Sequence, residues 1–206
     1  MSGLDLTVQL VIMRLVAGVM LVTVHGAVIA GAAVLLGDNG PRHDGRLSLL
    51  TTGHIDLLGL GALVLTGFGW GRPVAIDAGR LRPGRWGLVL AVLAGSAALL
   101  LLGVGLLLLA GPLLRALDFS AGVTAAAFVR MAARLCVWMA LFSLLPIPPL
   151  AGAHLLTALG IAVPGRLGTY LGWGLLLAAV FGVTQRALAP AYYLIAPPLL
   201  GVDAAL

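Results

Sequence analysis

The chain has 206 residues, of which 61% are hydrophobic and 9% charged, with a mean hydropathy of +1.14. A soluble domain of ordinary composition is roughly 25% charged, so this chain has too few charges to cover a water-facing surface, and its apolar runs are long enough to cross hydrocarbon. The net charge of +5 makes no case for nucleic acid, because the arginines lie between hydrophobic segments and form no stripe with aromatics. All twelve basic residues are Arg and all seven acidic residues are Asp. With no Glu, no mechanism that needs a glutamate base or ligand can run on this chain alone.

The first predicted span runs from about Val8 to Leu36, interrupted by Arg14 and His25. Gly18, Gly26 and Gly31 thin one side of it, a surface that another helix can approach closely. Before it, Met1 to Thr7 carries Asp5 and no basic residue, which does not read as a cleaved leader. Turn chemistry over Gly37–Gly45 ends the span. Leu47 to Thr66 is apolar but rich in glycine and holds His54 and Asp56 in its middle. That pattern predicts a re-entrant segment in which Asp56 caps a helix over Leu57 to Thr66. An interfacial stretch of short extended character follows (68–77), then the basic run Arg80, Arg82 and Arg85.

The second full span is expected over Trp86 to Leu114 and the third over Ala125 to Leu145, joined by Arg115 to Thr124. Pro146-Ile-Pro-Pro-Leu150 stops the third. A short segment (Gly152 to Val163) precedes a fourth span over about Leu167 to Val183, and an apolar, proline-broken tail runs from Pro190 to Leu206. The expected architecture is a single all-α membrane domain over 1–206, with a core of about 8–163 and an extra span and tail over 164–206. Six arginines stand between spans one and two and only Arg115 between two and three. The positive-inside rule therefore puts loop 37–86 on the cytoplasmic side, in a bacterial inner membrane.

Several pieces of the chain, in order, resemble the site-2 protease family of intramembrane zinc metalloproteases. Gly53-His-Ile-Asp-Leu-Leu-Gly59 matches the family's G-H-I-D-P-L-G, with Leu57 in place of proline. Phe68-Gly-Trp-Gly-Arg-Pro-Val74 matches F-G-W-A-K-P-V, and Arg80-Leu-Arg82 and Leu93-Ala-Gly95 follow at the expected places. Leu144-Leu-Pro-Ile-Pro-Pro-Leu150 matches the L-L-P-I-P-P-L that precedes the family's D-G. The resemblance implies a three-helix protease core holding zinc.

At the catalytic positions the chain departs from the pattern. The family's H-E-x-x-H puts two imidazoles on one helix face around a glutamate that activates zinc-bound water. The matching residues here are His25, Gly26 and Ile29, so one ligand, the base and the other ligand become His, Gly and Ile. The aspartate of D-G is Ala151, before the retained Gly152, and two asparagines near the family's site are Leu99 and Ser143. The resemblance with these losses implies a pseudoprotease with no catalytic residue and no cofactor. It would serve as an accessory or assembly subunit packed against other transmembrane proteins in a larger membrane complex. One alternative is a zinc metallopeptidase with a rearranged site around His25, His54, Asp56 and His154. Another is a non-cleaving binder of membrane peptides.

The bland reading of His25 and His54 is that they are buried polar residues, and of Cys136 that it is a small apolar one. No G-x-S-x-G supports a serine hydrolase. Arg130 and Arg134, at i and i+4, share a helix face and point to an anchor in the interface or to contact with lipid or an acidic partner. The tryptophans and tyrosines mostly fall near span ends, as an interfacial belt would.

Overall fold

Helices that are apolar on every side need either a protein interior or lipid around them, and this chain is built almost wholly from such helices. The computed structural model describes residues 6–49, 52–161 and 164–201. Helix α1 (Val8–Leu36) starts where the Thr7 side chain accepts from Leu10 N at 3.2 Å and ends at Gly37, whose φ of 121° terminates it. A single turn, α2 (Gly40–His43), and a 3-10 turn over Thr52–His54 lead to α3 (Leu57–Thr66). Asp56 caps α3 as expected, accepting from Gly59 N at 2.8 Å. Helix α4 (Trp86–Ala116), α5 (Phe119–Ser143), the short α6 (Ala153–Ala158), α7 (Gly165–Val180) and α8 (Val183–Leu200) complete the order. Among the described residues there is no strand, and residues 68–77 form a non-helical stretch tied in by Arg72 N donating to His54 O at 2.8 Å.

Helices α1, α4 and α5 are each long and apolar enough to cross a membrane, and α7 with α8 makes a pair bent by 74° that passes the same test together. The protein is therefore an all-α integral membrane protein with three to four candidate spans. Helices α4 and α5 form an antiparallel hairpin with close backbone approach: a Cβ at Gly103 would lie 3.1 Å from Cys136 Cβ, and one at Gly122 3.2 Å from Leu113 O. The main core gathers Leu21 and Val22 of α1, Leu99 of α4, Ala133 and Cys136 of α5, and Tyr192 of α8. Cys136 is thus packing, as its surroundings in sequence suggested.

Four features differ from the expectations. Helix α5 begins at Phe119, so the expected connection over 115–124 shrinks to two residues, because Asp118 accepts from Ala121 N and starts a new helix at once. The proline-broken tail is helical: α8 continues through Pro190 as far as Leu200. Each proline removes one backbone donor, but the burial of Leu188, Tyr192 and Ala196 holds the rest of the helix in place. Residues 202–206 of that tail, Asp5 at the other end, and positions 50–51 and 162–163 of the expected segments lie outside the described residues. Trp70 and Trp138 are not belt residues. Trp70 is 4% exposed against Phe142, and the Trp138 ring stacks on Tyr192 with centroids 3.9 Å apart. Trp86, Trp173 and Tyr170 remain exposed. Finally, the glycine side of α1 is covered from within the chain, since Leu60 and Leu63 of α3 press on Gly18 and His54 covers Gly26.

Candidate functional site

The three positions of α1 that the resemblance singles out do converge with the fourth. His25, Gly26 and Ile29 come from consecutive turns of one helix, and Ala151 arrives from the turn after α5. Gly152 makes that turn, donating its N–H to Ser143 O at 2.7 Å, and a Cβ there would collide with the carbonyls of Leu144 and Leu145. All four positions line one cavity with Ser143, Trp70 and Val74. Its volume is about 20 Å³, room for roughly one water molecule. On the α4 side Gly95 permits close packing: a Cβ there would stand 2.9 Å from Ile29 Cδ1 and 3.0 Å from His25 Cδ2.

The chemistry of that cavity is sparse. His25 is 6% exposed, and its Nε2 has no hydrogen-bond partner. Ser143 gives its hydroxyl to Ala140 O at 2.9 Å, which leaves Ser96 to donate to Ser143 Oγ at 3.1 Å. Leu99, at the other former asparagine position, is fully buried in the main core. A zinc site needs about three protein ligands, and among the described residues His25 is the only His, Cys, Asp or Glu that lines the cavity. The residues present do not fit the metal.

Nor do the other candidates make up the deficit. His54 Nε2 contacts Ser48 O at 3.1 Å, Asp56 is spent on capping α3, and His154 Nε2 contacts Val74 O at 3.0 Å. Among the described residues no three His, Cys, Asp or Glu side chains group as a metal site. Burial, together with the Arg46 guanidinium, lowers the His54 pKa, opposed by the backbone carbonyls of Ser48 and Arg46. Burial likewise lowers that of His154 against the opposing Val74 carbonyl.

His54 has a role that sequence reasoning missed. Its ring lies over Gly26, so a Cβ at 26 would overlap Nδ1 and stand 3.2 Å from Cε1 and 3.3 Å from Cγ. The space a side chain at position 26 needs is taken up by a fully buried imidazole. No spacing in the chain signals this, because residues 26 and 54 meet only when the segment leading into α3 folds back on α1. Two further residues fasten the chain between α1 and α4. Asp38 is 1% exposed and accepts from Gly40 N at 2.9 Å and Asp77 N at 2.8 Å, while the buried Arg46 donates to Gly53 O and Arg72 O.

Asp56 and His154 line a second, open cleft of about 570 Å³ between α3, α6 and α7, with Trp173 and Gly172 on its far wall. Trp70, Pro73 and Leu150 separate it from the small cavity and line both. Arg130 and Arg134 belong to neither space and line a third groove along α5.

The fold defines an all-α integral membrane protein in which His25, Gly26, Ile29 and Ala151 meet around one small cavity. Over 141 residues the chain is 32% identical to a protein of Bacillus subtilis (strain 168) named "Putative zinc metalloprotease YwhC". The likeness covers 65% of this chain and 63% of that protein, so the chain spans less than two thirds of its relative's length. No protein-family model matches the chain. No solved structure matches it.

Proposed function

We propose that this chain is a catalytically inactive site-2-protease-like protein, a pseudoprotease kept as an accessory or assembly subunit of a larger membrane complex. The similarity to a zinc metalloprotease supports the family. The observation that carries the inactive reading is that His25, Gly26, Ile29 and Ala151 meet at one cavity with a single ligand among them. A water-sized space with His54 lodged over Gly26 leaves no room for the missing base. The arginine count puts loop 37–86 on the cytoplasmic side of a bacterial inner membrane.

The test is elemental analysis of protein purified in mild detergent beside a His25→Ala variant, with the native mass of each particle measured in parallel. No zinc in either sample, and a mass above that of the chain and its detergent, supports the reading. Stoichiometric zinc that disappears in His25→Ala overturns it in favour of a metallopeptidase. A second reading, a non-cleaving binder of membrane peptides, is favoured by the open 570 Å³ cleft beside the cavity. It predicts that a hydrophobic peptide quenches Trp173, an exposed residue of that cleft, without being cut.

A further inference from the structure

Arg130 and Arg134 share one face of α5, and folding brings a third guanidinium, that of Arg14 in α1, to the same groove. The groove has a volume of about 570 Å³, and among the described residues no acidic one lines it. Arg14 is held in place, its Nη1 donating to Val64 O and Leu65 O at 3.1 Å each. These are end carbonyls of α3, where a cation is favoured. Its Nη2 faces Gly67, where a Cβ would come within 4.0 Å, on the groove wall. Arg130 is exposed and Arg134 half-buried. The only ion pair among the described residues, Arg80–Asp77, lies elsewhere.

The height of the groove follows from helix register. Gly103 faces Ala133 and Cys136, and Gly122 faces Leu113 and Leu114, so Arg130 is level with about residue 106 of α4. That is about 20 residues, or about 30 Å, from Trp86. Arg14 stands about 22 residues, or about 33 Å, from Leu36, whose carbonyl accepts from Arg82 N at 2.8 Å beside the start of α4. The two heights agree with each other and with a hydrocarbon thickness of about 30 Å. Counted from the end of the bundle that carries loop 37–86, the three cations lie about one hydrocarbon thickness along the helices.

We propose that this groove binds the phosphate of an anionic phospholipid headgroup. Guanidinium forks match phosphate oxygens in geometry and charge, and cations at a membrane boundary need a counter-charge that none of the described residues places in this groove. Leu10, Met131, Leu135 and Trp138 supply an apolar wall beside the arginines, which suits an acyl chain and is of no use to a free phosphate ion. The concave shape suits a single headgroup better than the broader face of an acidic protein.

The test incubates the purified protein with mixed micelles holding equal amounts of phosphatidylglycerol and phosphatidylcholine, and reads the retained lipid by native mass spectrometry. Wild type should retain phosphatidylglycerol over phosphatidylcholine by roughly tenfold, as charge-assisted hydrogen bonds imply. R130Q/R134Q should lose that preference, and R115Q, at the exposed end of α4, should keep it. Should the double variant not fold, R130Q alone, at an exposed position, must still lower the ratio. No preference in wild type, or an equal preference in the arginine variants, overturns the proposal. So does displacement by inorganic phosphate as effective as by added phosphatidylglycerol, which would mark a free-phosphate site. An acidic membrane protein held by these arginines in place of lipid would overturn it too.

Discussion

Adding one methyl group at Gly26 tests the central packing relation of the site. A Cβ there overlaps the His54 ring, with Cε1 at 3.2 Å and Cγ at 3.3 Å. The ring has little freedom to yield: it is fully buried, Nε2 contacts Ser48 O at 3.1 Å, and the His54 carbonyl is held by Arg72 N at 2.8 Å. Replacing glycine by alanine within a helix is worth about 1 kcal/mol in its favour, while overpacking a tight site costs about 1–3 kcal/mol. Overlap with ring atoms puts this case near the upper end, so Gly26→Ala should destabilise by about 1–2 kcal/mol net. His54→Ala should cost about 2–4 kcal/mol by emptying a buried ring's volume. In the double variant the clash is gone and the helix gain remains, so the combined loss should fall short of the sum by about 2–3 kcal/mol. Unfolding in mild detergent, followed by tryptophan fluorescence for the four proteins of the cycle, measures this. Losses that add to within about 0.5 kcal/mol would refute the account of His54 as occupant of the space over Gly26.

Two further outcomes follow from the same geometry. Asp56→Ala should cost about 1 kcal/mol and speed amide hydrogen exchange at Gly59 in the first turn of α3, without changing metal content. A loss of bound metal on that substitution would restore Asp56 to a ligand role. The lowered pKa of His154 gives a pH dependence of definite sign. As pH falls, the unfolded chain takes up its proton first, near the ordinary value of about 6.5, so stability is full above that pH and declines below it until the folded pKa is reached. His54 contributes with the same sign. His154→Gln should remove part of the decline between about pH 7 and 5 in the unfolding midpoint, and identical profiles for variant and wild type would count against a half-buried, neutral His154.

Much of the fold is legible in the sequence because its strongest signals are local. Apolar length alone marks the three long helices, and α1 (Val8–Leu36) and α3 (Leu57–Thr66) have the bounds the residues imply, since Asp56 and Gly67 are end signals that need no tertiary partner. The break after α5 is equally local, written in Pro146, Pro148 and Pro149. Where a boundary depends on packing, local reading falls short: α8 persists through Pro190 because buried Leu188, Tyr192 and Ala196 outweigh one missing hydrogen bond.

The candidate site divides in the same way. The identities of His25, Gly26, Ile29 and Ala151 are a property of the sequence, and set against the family pattern the chain resembles they include a single metal ligand. What becomes of the freed space is not, because it depends on residues far apart in the chain meeting in the fold. Tertiary structure alone brings Ala151 to α1, lowers His54 onto Gly26, pairs Ser96 with Ser143, spends His154 on the Val74 carbonyl, and sets Arg14 beside Arg130 and Arg134. The physical reason is range: a cap or a proline acts within one turn of its own backbone, whereas a cavity or a cluster of charges exists only once separate helices have packed.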